Sequence, residues 1–148
     1  MVLRRALLLV PVLAGLVATP FVTAGCADAP ASPSGGAPYS QIDLVFGTGA
    51  TAETGKVLTV NYTGWFYDGS KADRKGVQFT TSAMSGPAIF TAGANTVIEG
   101  WEKGVLGMLE GGQRRLIIPP SLGYGSNRYS AIPPNSTLVF DIELISVQ

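Results

Sequence analysis

The chain of 148 residues has no histidine and a single cysteine, Cys26. Without an imidazole, neither a Ser-His-Asp nor a Cys-His nucleophile system can be assembled. Zinc sites built from His and Cys are excluded by the same count, and an internal disulfide would need a second thiol. Charge is scarce as well. Charged residues make up 14% of the chain, ten basic against ten acidic, for a formal net charge of zero. No basic stretch offers an electrostatic footprint for nucleic acid, and no carboxylates are spaced as in a calcium loop. No metal or other cofactor is expected. There is no internal repeat and no heptad pattern for self-association, so a monomer is expected. Any catalysis must proceed without groups that titrate near neutral pH.

Apolar residues are plentiful, at 46% of the chain, enough for one core. Arg4 and Arg5 precede an uncharged, mostly apolar run from Ala6 to Val22, followed by Thr23-Ala24-Gly25. This pattern predicts an export signal over residues 1–25. The run contains Pro11, Gly15 and Pro20 and falls just short of a membrane span,; an uncleaved anchor is the alternative. Cys26, directly after Ala24-Gly25, resembles the acylated cysteine of a bacterial lipobox, with Thr23 where leucine is more usual. On that reading the protein is extracytoplasmic and attached to a membrane by lipid at Cys26. Several acyl chains, at about 0.8 kcal/mol per buried CH₂, hold such a protein stably. The other reading is a plain secretory signal that ends beside a cysteine. Residues 27–38, rich in Pro, Ser, Gly and Ala, predict a flexible tether,.

Residues 40–148 have globular composition. Ile42–Phe46 is a short apolar segment closed by Gly47-Thr48-Gly49. Lys56–Tyr67 alternates, with Leu58, Val60, Tyr62 and Phe66 on one face, and predicts a strand,. Ser70–Gln78 is polar and predicts an exposed loop, while Val77–Thr81 and Ala88–Thr91 are short strands around a turn at Ser85-Gly86-Pro87,. Thr96-Val97-Ile98-Glu99 has the form of a capping box,. Ile98, Trp101, Val105 and Met108 follow at helical spacing. Gly100, Gly104 and Gly107 weaken that helix by about 1 kcal/mol each relative to Ala, so it needs packing against a sheet to persist. Gln113–Ile118 and Thr137–Val147 alternate again, with Arg114 and Arg115 expected as surface charges. Between them Pro119–Ser136 is a long loop with four prolines; loops of that length are usually functional. The sum is an α+β fold, an antiparallel sheet with one short helix on one face.

The segments Val60-Asn61-Tyr62-Thr63-Gly64-Trp65, Val97-Ile98-Glu99-Gly100-Trp101, Arg115-Leu116-Ile117-Ile118-Pro119-Pro120, Leu122-Gly123-Tyr124-Gly125, Ile132-Pro133-Pro134-Asn135 and Leu138-Val139-Phe140-Asp141-Ile142-Glu143-Leu144 resemble FKBP-type peptidyl-prolyl cis–trans isomerases in content, order and spacing. The resemblance covers Gln41 to Val147. It implies a half-barrel sheet wrapped around the short helix, with an apolar pocket for a proline ring between them. Carried over by position, Trp101 would be the floor, and Tyr62, Phe90 and Phe140 the walls. The N–H of Ile98 and the hydroxyl of Tyr124 would hold substrate carbonyls, and Phe79, Thr80, Val97 and Ile132 would complete the binding site. The implied partners are proline-containing polypeptides, with macrolides as further ligands.

Two departures bear on function. Thr80 stands where family members commonly carry an aspartate, so a neutral hydroxyl replaces a carboxylate at the pocket rim. The loop from Ser126 to Ala131, with Arg128 and Tyr129 near its tip, differs in length and content. Two readings stay open: an isomerase acting on exported proteins, and a low-turnover module or chaperone that binds proline segments, which Thr80 favours. The first needs no titrating group. Rotation about an X–Pro bond faces a barrier of ~18–20 kcal/mol from amide resonance, and a catalyst has only to bind the twisted amide better than the planar one.

Overall fold

The computed structural model describes residues 36–148. The export signal, Cys26 and most of the tether lie outside the described residues. Among those described, no helix is long and apolar enough to cross a membrane.

Six strands form one antiparallel sheet: β1 (Ser40–Val45), β2 (Val57–Tyr67), β3 (Lys75–Thr81), β4 (Ala88–Thr91), β5 (Gln113–Ile118) and β6 (Leu138–Val147). Their order is β1-β5-β6-β2-β3, with β4 also on β2. The pleat explains the alternation in the sequence. Leu116 and Ile118 of β5 and Leu138, Phe140, Ile142 and Leu144 of β6 turn to the concave face and are buried,. On the opposite face Asp141 takes Arg115 through two hydrogen bonds, at 2.7 and 2.9 Å, and Lys75 at 2.6 Å.

The edge of β2 is shared. Its C-terminal half pairs with β3 (Thr63↔Thr81) and its N-terminal half with β4 (Val60↔Ala88). The chain between them forms a four-residue helix, α1 (Ser82–Ser85), where a simple turn was expected. Thr81 caps it by accepting from the Ala83 N–H, and Gly86, at φ 81°, ends it. In the gap the Tyr62 N–H donates to Ser82 Oγ at 3.0 Å, so a side chain replaces the missing strand partner,.

Helix α2 (Glu99–Val105) lies on the concave face against β5. Its glycines are the reason it fits. A Cβ on Gly100 would come within 2.6 Å of Ile118 Cγ2, and one on Gly104 within 2.4 Å of Leu116 Cδ1. One turn apart, these two residues form a bare strip that lets the helix backbone rest on the sheet.

Three local expectations are corrected. The capping box does not form: the N-cap is Ile98, without a side-chain cap bond, two residues later than that motif requires. Glu99 instead pairs with Lys103 at 2.7 Å. The polar stretch expected to be a loop up to Gln78 enters β3 at Lys75, because two register shifts against β2, each with its extra residue on β3, break the alternation that marks a strand,. Arg114 is a buried residue, not a surface charge. Its guanidinium donates to Asp43 at 2.6 Å and to the carbonyls of Gly104 and Leu106 at 2.8 and 3.1 Å. Those carbonyls end α2 without intrahelical partners, and a buried cation satisfies them.

Candidate active site

Between α2 and the open part of the sheet lies a cavity of about 600 Å³. Trp101 forms its base, only 6% exposed. Tyr62 and Phe140 stand edge-on to the indole, each with its centroid 5.2 Å away, at interplanar angles of 70° and 90°. Phe79 meets Phe140 edge-on at 5.7 Å, with Phe66 behind it at 4.9 Å. Perpendicular rings place positive edges against negative faces and hold one another without filling the space between them. An open slot with a largely aromatic and aliphatic lining results.

Each wall comes from a different element. β2 supplies Tyr62, β3 Phe79 and Thr80, and β6 Phe140, while Val97 and Ile98 enter from the segment that leads into α2. The long loop supplies Tyr124 and Ile132. Nine of the ten expected pocket residues therefore line one cavity. The exception is Phe90, which is buried beside Trp101 at 6.0 Å and is not among the side chains that line the opening. Phe90 pairs with Leu58, one step further along the same face of β4 than Ala88, which pairs with Val60 and does line it. Sequence alternation identifies that face but not which of its two members faces the opening. Thr96, Tyr129, Ser130 and Ala131 are further lining residues outside the expected set. For Tyr129, Ser130 and Ala131 the unusual loop from Ser126 to Ala131 was the only sequence signal.

The polar groups are few. The Ile98 N–H, just ahead of the first turn of α2, makes no hydrogen bond among the described residues. Tyr124 is half-buried, and its phenol is raised above the ordinary tyrosine range, chiefly by desolvation, with the Tyr129 and Tyr62 hydroxyls adding to the effect. It stays protonated, and able to donate, throughout the physiological range. The Tyr62 hydroxyl is shared with Ser85 Oγ at 3.2 Å. At the rim, Thr80 lies opposite Gly64 in the β2–β3 ladder. A slot of aromatic rings with unpaired donors on its lining residues suits a compact apolar ring attached to carbonyls.

The family model for FKBP-type peptidyl-prolyl cis-trans isomerases matches residues 49–145. The chain belongs to the FKBP-type peptidyl-prolyl isomerase family. An FK506-binding protein of Neisseria meningitidis serogroup B is 42% identical over 106 residues, covering 71% of this chain and 92% of that protein. FK506-binding protein 1 of Aspergillus oryzae is 39% identical over 105 residues, covering 68% and 90%. Among solved structures, FkpA from Escherichia coli superposes with a TM-score of 0.62 at 36% identity, covering 74% of this chain and 48% of that one. AtFKBP13 superposes with 0.63 at 34%, covering 74% and 93%. The antiparallel sheet around a short helix is thus the FKBP fold, and the chain is an FKBP-type peptidyl-prolyl cis–trans isomerase.

Proposed function

We propose that this isomerase acts on X–Pro bonds of exported proteins, as a monomer held at a membrane by lipid on Cys26, and that it works by non-covalent stabilisation of the twisted amide. The observation that carries the mechanism is the slot itself: an apolar cavity based on Trp101, with the Ile98 N–H and the Tyr124 hydroxyl free at its mouth. The proline ring sits on the indole between Tyr62 and Phe140. The planar amide is the more charge-separated form and is better solvated by water. Withdrawing it into the slot therefore favours the twisted form. The two donors take the carbonyls that flank the proline in the rotated geometry, and this binding raises turnover only insofar as it is stronger there than in the ground state. Each tenfold gain needs about 1.4 kcal/mol of such difference.

Thr80 shapes the rim. A hydroxyl there leaves the field at the cavity mouth neutral, so carbonyl positioning falls to Ile98 and Tyr124. The family's macrolide ligands use the same slot, with affinity set in part by this residue. The case for export and lipid attachment rests on Arg4 and Arg5, the apolar run after them and Cys26 behind Ala24-Gly25.

The test is a protease-free isomerisation assay on the full chain in mild detergent, using proline peptides that vary in the preceding residue, alongside a Thr80→Asp variant. Acceleration by the wild type is expected. Activity confined to Thr80→Asp would replace the isomerase reading by that of a proline-segment binding module. Cys26→Ala should release the protein from membranes; continued partitioning would refute the lipid anchor.

A further inference from the structure

Tyr129 has no role in the chemistry set out above, yet its ring lies flat on that of Tyr124, centroids 4.4 Å apart and planes at 12°. Every other aromatic pair among the described residues is tilted or edge-on. The backbone holds this arrangement in place. Tyr129 and Ile132 exchange both main-chain hydrogen bonds, at 3.1 and 2.8 Å, around a turn with Ser130 at φ 49°. Ile132 is 4% exposed and anchors the turn in the core. At the other end of the loop, the Asn135 N–H donates to the Gly125 carbonyl at 2.8 Å. The loop is thus closed at both ends, and it delivers the Tyr129 ring onto Tyr124.

This is a poor way to build a core. Tyr129 is 57% exposed even with its ring stacked on Tyr124. Tyr124 has more to gain. Its hydroxyl has no hydrogen-bond partner among the described residues, so no polar contact sets the direction of its side chain. The flat contact with Tyr129 supplies that constraint.

We propose that Tyr129 is a positioning residue that clamps the Tyr124 ring so that its hydroxyl stays aimed into the proline cavity. The inference rests on the reading of Tyr124 as a donor to the substrate. Ordering a side chain in the free enzyme removes that ordering cost from the bound state. The clamp depends on the flat ring and not on the Tyr129 hydroxyl, and it acts only through Tyr124.

A double-mutant cycle on the full chain tests this, with kcat/KM for a proline peptide read by exchange NMR. Tyr129→Ala should lower kcat/KM about three- to tenfold, and Tyr129→Phe, which keeps the ring, should retain the wild-type value. In a Tyr124→Phe background, Tyr129→Ala should cause no further loss, because the hydroxyl it positions is already gone. Equal losses in both backgrounds, or no loss from Tyr129→Ala alone, would overturn the proposal. A role in folding alone gives the equal-loss pattern together with a matching fall in Tm. If the wild type shows no turnover, it is the isomerase reading that falls; the same cycle, read as affinity for the same peptide, still decides the role of Tyr129 by the same two criteria.

Discussion

Gly64 of β2 faces Phe140 of β6 across the ladder, so closely that a Cβ on Gly64 would lie 2.7 Å from the Phe140 ring. The same Cβ would meet Thr80 Cγ2 at 2.7 Å and Phe79 Cζ at 2.9 Å. Three residues at the cavity thus converge on one bare α-carbon. Gly64→Ala must push Phe140 and Phe79 toward the slot. We expect a loss of about 1–3 kcal/mol in stability and a larger proportional loss of proline-peptide affinity, measured by urea unfolding and by peptide titration. Wild-type affinity in this variant would show that the two rings have room to move elsewhere.

Gly104 separates two opposing effects. By helix propensity alone, Gly104→Ala should stabilise α2 by about 1 kcal/mol. The new methyl, however, would sit 2.4 Å from Leu116 Cδ1 and 2.6 Å from Cδ2, and Leu116 is fully buried, with no direction in which to swing. Overpacking of this kind costs typically 1–3 kcal/mol, so the net effect is destabilising. A rise in Tm would mean that the helix can lift off the sheet at little cost.

Tyr124→Phe removes a hydroxyl with no partner among the described residues, so stability should stay within about 0.5 kcal/mol. If the hydroxyl donates to substrate, kcat/KM falls about three- to tenfold, the weight of one ordinary hydrogen bond. Unchanged turnover would assign carbonyl binding to the Ile98 N–H alone.

Asp141 makes a pH prediction. Burial pushes its carboxyl upward, but hydrogen bonds from Arg115 and Lys75 outweigh this and hold it below the ordinary aspartate value of 3.8. The folded state therefore binds this proton less readily than the unfolded one. Its contribution is fully present above the unfolded value and is lost as pH falls through the folded value. Asp141→Asn should cost about 2 kcal/mol near pH 7, because two half-buried cations lose their partner. The gap to wild type should close as pH falls below 3.8, as followed by urea midpoints across that range. A gap independent of pH would assign the loss to shape and not to charge.

How far the sequence could be read depended on the kind of interaction. β2, β5 and β6 were legible because alternation is a local property of a pleated strand with one face in a core. That Trp101, Tyr62 and Phe140 lie together at one cavity was legible through family resemblance. The capping box failed because Thr96 and Glu99 have the right spacing, but contact with the sheet sets where α2 begins. Arg114 was misread because a cation at strand spacing looks solvated until the carbonyls of Gly104 and Leu106 are placed beneath it. That Phe90 packs beside Trp101 while Ala88 lines the opening follows from the register of β4 on β2, which no local pattern encodes.

The sequence by itself determined the chemical class: with no histidine and one cysteine, what remained was an aromatic set suited to binding an apolar ring, in an order that matches one family. Composition and order are properties of the chain, so they need no fold to be read. Tertiary structure alone decided which apolar residues enclose open space and which fill it. Ala88 lines the cavity while Phe90 packs behind it, Gly64 leaves room for Phe140, and Tyr129 lies flat on Tyr124. Each of these depends on register and on close approach between segments distant in sequence, and there an ångström or two separates a cavity from a core.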